Sequence, residues 1–128
     1  MEKKLLKKIL YVDDDDDIRT VGEMALSLGD FLIKVCSSGK EALAVVKDFE
    51  PDLIILDMMM PEMDGMETLS FLKKDKETEK IPVIFMTAKV QKEEVEEFKK
   101  SGAIAVITKP FDPMSLAQEV KKKWEDYL

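Results

Sequence analysis

The chain contains no histidine among its 128 residues. This absence excludes a Ser-His-Asp triad, a Cys-His pair and any metal site built on imidazole. Cys36 is the only cysteine, so no disulfide framework is available, and we expect it to be a small buried side chain. No apolar run approaches the roughly 20 residues that a membrane-spanning helix needs. Any chemistry must therefore use Asp, Glu, Lys, Ser or Thr.

The composition fits an ordinary globular domain with an acidic surface. Acidic residues number 27 and basic residues 20, which gives a net charge of −7 and argues against non-specific binding to nucleic acid or anionic membrane. With 45% hydrophobic residues, the length suits a single domain over residues 1–128. Residues 1–8 are basic but lack the apolar core and cleavage site of a signal peptide, so we expect a cytoplasmic protein.

Short apolar runs alternate with longer amphipathic stretches. The runs predicted as strands are 9–12, 31–36, 52–57, 81–86 and 103–107. Such near-continuous apolar strands, separated by helices, predict a parallel sheet covered by helices on both faces. At this length the common arrangement is the flavodoxin-like, doubly wound α/β fold with strand order 2-1-3-4-5.

Helical spacing and end signals place the helices. The predicted apolar positions of the first helix are Ile18, Val21, Ala25 and Leu28. Gly29 suits the end of that helix, and Asp112 followed by Pro113 suits the start of the last one. A charged, largely exposed fourth helix is predicted over 89–100, ending near Gly102. The last helix is predicted to bury Leu116, Val120 and Trp124.

Five consecutive aspartates, residues 13–17, follow the first predicted strand with no Lys or Arg among them. The alternating acids suggest a calcium-binding EF-hand loop, but position six is Ile18 where Gly is needed and position twelve is Met24 where Glu is needed. We therefore reject that interpretation. Residues 15–17 are expected to begin the first helix, where the helix dipole favours anions.

Polar residues follow four of the predicted strands, at the edge where ligands bind in such sheets. They are Asp13 and Asp14 after the first strand, Asp57 at the end of the third, Thr87 after the fourth and Lys109 after the fifth. Three carboxylates close together would not all stay ionised unaided. Mg²⁺, which prefers oxygen ligands, and the lysine would supply the missing positive charge. That combination would stabilise a phosphoryl group.

These residues belong to motifs that run in order along the chain: Val12-Asp13-Asp14, Leu56-Asp57, Met60-Pro61, Asp64-Gly65, Thr87-Ala88 and Lys109-Pro110-Phe111. Together they resemble the signature of response-regulator receiver domains, over about residues 8–127. The resemblance implies a stand-alone, CheY-like receiver of a two-component system. Such a protein accepts phosphate and assists its own phosphorylation and dephosphorylation, but it has no separate substrate and is not counted as an enzyme.

The resemblance also implies a role for each acidic residue of the site. Asp57 would accept the phosphoryl group from a sensor histidine kinase or a phosphotransfer protein. Asp14 and Asp57 would bind Mg²⁺ directly, together with the backbone carbonyl of Met59. Asp13 would act mainly through a bound water.

Two further residues would contact the phosphoryl oxygens. Thr87 would bond one oxygen and draw its loop inward, and Lys109 would pair with another. A cis peptide before Pro110 would aim the lysine, which is physically reasonable because X-Pro bonds tolerate cis. The signal would reach a downstream protein through the fourth helix, the fifth strand and the fifth helix, without direct binding of nucleic acid or membrane.

Three positions depart from the usual receiver pattern. Val106 stands where many receivers have an aromatic residue that turns inward on phosphorylation, so coupling is expected to run through the Thr87 loop and the fourth helix. Met59 and Lys89 stand at positions that tune hydrolysis in the family. Met59 cannot hydrogen-bond an attacking water strongly, which predicts a long-lived phosphate. The side chains of residues 58–60 could equally serve packing alone.

Other interpretations remain open or are disfavoured. The chain could be the receiver part of a longer regulator with a DNA-binding or enzymatic output domain. A phosphorylation-independent scaffold of flavodoxin-like fold is a minor alternative. A flavin-binding flavodoxin would have a Ser/Thr/Gly-rich loop after the first strand, where this chain has aspartates. A phosphatase or ATPase with an aspartyl nucleophile would carry a further Asp or a Lys-Thr-Gly sequence directly after Asp57, which is absent.

Overall fold

A five-stranded parallel sheet of order β2-β1-β3-β4-β5 forms the centre of the computed structural model, which describes residues 5–88 and 91–128. The strands are β1 (Lys8–Val12), β2 (Leu32–Cys36), β3 (Leu53–Asp57), β4 (Val83–Thr87) and β5 (Ala105–Thr108). The helices are α1 (Asp16–Ser27), α2 (Gly39–Phe49), α3 (Gly65–Lys74), α4 (Lys92–Lys100) and α5 (Leu116–Tyr127). The predicted α/β class and strand order are therefore confirmed.

Side chains alternate between the two faces of the sheet, and each face has its own apolar core. Leu10 and Val12 of β1 pack with residues of α2 and α3 on one side. Ile9 and Tyr11 of the same strand pack with residues of α1 and α5 on the other. β3 and β4 are buried along their whole length because helices cover both faces. Within the described residues, no helix has the length and apolar character needed to cross a membrane.

Four strands begin later than their apolar runs predicted: β2 at Leu32, β3 at Leu53, β4 at Val83 and β5 at Ala105. Asp52 was predicted in the third strand, but its side chain accepts the backbone N–H groups of Lys7 and Lys8 at 3.0 and 2.9 Å. The fourth strand begins at Val83, after Pro82, which has no N–H to donate to a ladder.

The buried face of α1 differs from the predicted one. Gly22, Ala25 and Leu26 are buried, whereas Val21 is 43% exposed and Leu28 is 65% exposed. The helix is rotated toward the sheet at Gly22, where any Cβ would overlap the ring of Tyr11. The close approach of α1 to β1 thus decides which residues of the helix are buried, and the apolar side chains of Val21 and Leu28 remain at the surface.

Two helix ends also differ from the prediction. Leu28 is the C-cap of α1, and the left-handed residue beyond it is Asp30, with φ of 63°, and not Gly29. Gly29 is required for space, because a Cβ there would lie 2.6 Å from the Phe31 ring.

The last helix begins at Leu116, so Asp112 is not the N-cap of this helix. The Asp112 carboxylate instead accepts the N–H of residue 114 in the turn before the helix.

α4 is charged and exposed, as predicted, and ends at Lys100 with Ser101 as C-cap. Its predicted start at Lys89 lies outside the described residues. Phe98 is its one buried residue, and its ring meets that of Phe85 edge-on at 5.5 Å. Gly102 then takes a φ of +115°, a conformation that L side chains rarely adopt.

Candidate functional site

The polar residues after the strands meet at one edge of the sheet. Backbone hydrogen bonds tie the strand ends together: the N–H of Met58 donates to the carbonyl of Met86 at 3.0 Å, and the N–H of Lys109 donates to that of Thr87 at 3.0 Å. These bonds fix the residue after Asp57 against the end of β4, and Lys109 against Thr87. The site is thus assembled by the strand register and not by any single loop.

Three carboxylates converge at this edge. Asp13, Asp14 and Asp57 each offer one oxygen, and these oxygens lie within 4.8 Å of one another. Asp13 is fully buried and Asp57 is 3% exposed, whereas Asp14 faces solvent. An all-oxygen set with one open side fits a hard divalent cation such as Mg²⁺, which keeps several waters and takes one or two carboxylates.

Lys109 supplies the positive charge inside the site. Its Nζ lies 3.0 Å from Asp13 Oδ2 and 3.0 Å from Asp57 Oδ1. Burial lowers the pKa of Lys109, but its hydrogen bonds to the two carboxylates outweigh that effect and leave the pKa above its ordinary value. The Lys109-Pro110 peptide is cis, as predicted.

Asp57 ionises less readily than an ordinary aspartate. Burial raises its pKa, the hydrogen bond from Lys109 lowers it, and the charge of Asp13 raises it again, with a net pKa of about 7. The backbone N–H of Met59 approaches Asp57 Oδ1 at 3.4 Å. Gly65 packs against the backbone of Asp57, since a Cβ there would lie 2.7 Å from the Asp57 carbonyl oxygen.

The aspartate run has a cation that sequence inspection missed. Arg19 lies two residues beyond the run, and its guanidinium donates to the backbone carbonyl of Asp13 at 2.8 Å and to Asp16 at 2.5 Å. Asp15 is the N-cap of α1, and its carboxylate accepts the N–H groups of Asp17 and Ile18. The first turn of α1 therefore stabilises the end of the run, as predicted. Arg19 connects that turn, through Asp16, to Asp13 at the start of the run.

Tyr11 is a second residue that sequence reasoning did not assign to the site. Its hydroxyl donates to Asp13 Oδ2 at 3.3 Å, and burial raises its pKa. The signal in the sequence was spacing, because residues two apart in a strand point to the same face. A tyrosine two positions before a site aspartate was therefore a candidate.

The remaining predicted residues lie at the site's margin or away from it. Thr87 is 1% exposed at the end of β4. Met58 and Met60 are buried in the core, whereas Met59 is 66% exposed, so packing explains only two of the three methionines. Cys36 is buried as predicted, and burial raises the pKa of its thiol to about 11. Lys89 lies outside the described residues.

Comparison with known proteins identifies relatives of this arrangement. A family model described as response regulator receiver domain matches residues 9–121. The phosphate regulon transcriptional regulatory protein PhoB of Pseudomonas aeruginosa is 38% identical over 115 residues, which covers 90% of this chain and 50% of that protein. The transcriptional regulatory protein SrrA of Staphylococcus aureus is 39% identical over 114 residues, which covers 89% of this chain and 46% of that protein.

The fold has close counterparts among solved structures. The chemotaxis response regulator CheY4 of Vibrio cholerae matches with a TM-score of 0.85 at 28% identity, covering 93% of this chain and 99% of that chain. The chain thus spans nearly all of this structure but about half the length of the two regulators named above.

The pKa of Asp57 predicts a pH-dependent stability in Mg²⁺-free solution. In the folded chain the carboxyl keeps its proton up to about pH 7, whereas in the unfolded chain it loses it near pH 4. The folded state binds the extra proton in this window, so the free energy of unfolding should fall as pH rises from about 4 to about 7. Urea unfolding at a series of pH values measures this change.

Asp57→Asn is the matched control, because it keeps the shape and removes the titration. The parent should lose stability relative to Asp57→Asn between about pH 5 and pH 7. A difference between the two proteins that stays constant across this range would contradict the prediction.

Proposed function

Because the chain belongs to the response regulator receiver domain family, as its match over residues 9–121 shows, we propose that Asp57 accepts a phosphoryl group from a histidine kinase or a phosphotransfer protein. The family consists of phospho-accepting signalling domains and not of classical enzymes. The observation that carries the proposal is the position of Asp57: a buried carboxylate at a strand end, 3.0 Å from an ammonium and clustered with two other carboxylates.

Asp14 and Asp57 would hold Mg²⁺ directly with the backbone carbonyl of Met59, and Asp13 would act through a water. The burial of Asp13 and the exposure of Asp14 support this division. When bound, Mg²⁺ would offset negative charge on the phosphoryl oxygens. Charge neutralisation and positioning are the main requirements of phosphoryl transfer.

The phosphoryl group would move from a histidine of the donor to Asp57. The N–P bond of the donor breaks, its bonding pair stays on the imidazole nitrogen, and an O–P bond forms to the Asp57 carboxylate. The donor histidine must come from a partner, since this chain has none. Lys109 and Thr87 would each bind a phosphoryl oxygen, and the backbone bond from Lys109 to Thr87 supports their joint action.

A surface beside the site suits a protein donor. Ile18 and Val21 of α1 line an apolar groove together with Phe111 and Pro113, and Lys109 forms part of the same groove. A protein that covered these side chains would lie directly next to the phospho-acceptor. The groove therefore supports transfer from a protein, in addition to small phosphodonors.

The proposed output face consists of α4, β5 and α5. A groove on this face is lined by Lys99, Ile104, Ala105, Lys123, Asp126 and Tyr127. Such a mixture of apolar and charged side chains suits contact with a protein. Val106, in β5, is half-buried. Because this residue is not aromatic, the signal would pass from Thr87 to α4 without an aromatic switch.

A second candidate concerns the whole protein. PhoB and SrrA are named transcriptional regulatory proteins, and the chain matches about half of each. In a longer protein the same receiver would control an attached output domain, for example one that binds DNA. In either setting its location would be the cytoplasm, as the family suggests.

Intact mass spectrometry tests the acceptor. Incubation with acetyl phosphate and Mg²⁺ should add one phosphoryl group to the parent and none to Asp57→Asn, because the mutant lacks the nucleophilic carboxylate. Asp14→Asn is the control for the metal site: it should still be modified at Asp57, but only at higher Mg²⁺. A phosphoryl group that persists in Asp57→Asn would show that another residue is the nucleophile.

The exposed thioether of Met59 predicts a slowly hydrolysed phosphate. Met59→Asn should shorten the phosphate lifetime, since an amide can hydrogen-bond an attacking water and a thioether does so only weakly. Loss of phosphate is followed by mass after the donor is removed. Met114→Asn is the matched control, because Met114 is 79% exposed and lies just before α5. An equal or longer lifetime in Met59→Asn would contradict the prediction.

A further inference from the structure

Tyr11 is a fully buried residue of β1 whose hydroxyl reaches the acidic site. The hydroxyl donates to Asp13 Oδ2 at 3.3 Å. A buried hydroxyl without a partner would destabilise the fold, so this bond accounts for the presence of a polar atom in an otherwise apolar core. The bond also connects the core beneath α1 to the site.

The ring of Tyr11 is held in one position. Gly22 of α1 lies against its hydroxyl end, and a methyl group at position 22 would overlap the ring. The glycine therefore creates the space that the phenol occupies. With the ring fixed between strand and helix, its hydroxyl stays directed at Asp13.

Within residues 5–88 and 91–128, the Asp13 carboxylate has few other partners. Oδ1 accepts the backbone N–H of Asp15 at 3.0 Å, and Oδ2 is shared between Tyr11 and Lys109. Lys109 also binds Asp57, and in the proposed function it must bind a phosphoryl oxygen as well. Lys109 thus divides its contacts between Asp13 and the reacting groups. The hydroxyl of Tyr11, by contrast, donates to Asp13 and contacts no reacting group.

We propose that Tyr11 is a positioning residue for the metal site: its hydroxyl holds the Asp13 carboxylate in place while Lys109 shifts toward the phosphoryl group. This inference rests on the proposed function, because it concerns the water-mediated contact of Asp13 to Mg²⁺. A ligand that is already oriented loses less freedom when the ion binds. Tyr11 thus raises Mg²⁺ affinity without contacting the ion or the phosphoryl group.

The test is Tyr11→Phe, which removes only the hydroxyl and keeps the ring that fills the space beside Gly22. Calorimetric titration with Mg²⁺ should give an affinity about three- to tenfold weaker than that of the parent, the effect of one lost hydrogen bond. Phosphorylation by acetyl phosphate should need correspondingly more Mg²⁺ but reach nearly the parent rate at saturation. A purely structural role would not produce this separation of affinity from maximal rate.

Thr78→Val is the matched control, because it also removes a buried hydroxyl hydrogen bond, to the carbonyl of Leu72 at 2.6 Å, but at a residue that precedes β4 and lies away from the acidic site. It should bind Mg²⁺ like the parent. Equal Mg²⁺ affinity in Tyr11→Phe and the parent, even with lower thermal stability, would overturn the inference and leave the proposed function intact. A lower maximal rate with unchanged affinity would also overturn it. A parent that neither binds Mg²⁺ nor accepts phosphate would overturn both.

Discussion

The ammonium of Lys109 lies between two buried carboxylates, 3.0 Å from an oxygen of Asp13 and 3.0 Å from one of Asp57. Without it, two buried acidic groups would lie close together, and at least one would have to take up a proton. One ammonium cannot balance three carboxylates, because Asp14 adds a further charge within 4.8 Å. The remaining negative charge suits the site to a divalent cation. It also means that a nearby positive charge lowers the pKa of Asp57.

The fold produces this charge arrangement without a dedicated loop. Asp13 follows β1, Asp57 is the last residue of the adjacent parallel strand β3, and the backbone bond between Lys109 and Thr87 places the ammonium across from them. Gly65 lets α3 begin directly against the Asp57 backbone, where a side chain would push Asp57 away. The geometry of the site therefore depends on the relative positions of these strand ends.

The fold class, the strand order and the clustering of acids at one sheet edge could be predicted because they depend on patterns repeated along the chain. Features that depend on close packing could not. Tyr11 and Gly22 interlock across strand and helix, and this contact rotates α1 so that Val21 faces solvent. Arg19 reaches back to a backbone carbonyl, an acceptor that no side-chain motif indicates. Asp112 satisfies the rule for an N-cap, yet its side chain serves the preceding turn.

In the proposed function Lys109 and Mg²⁺ would share the carboxylates of the site, and the Mg²⁺ affinity of Lys109→Met tests this sharing most directly. The titration should be done near pH 9, where protons compete less for Asp57, with the exposed Lys122→Met as the control for loss of one surface charge. If the ammonium and the ion share these carboxylates, Lys109→Met should still bind a single Mg²⁺ but with higher affinity than the parent, because the competing cation is gone. The control should have the Mg²⁺ affinity of the parent. Unchanged or weaker binding in Lys109→Met would contradict the account.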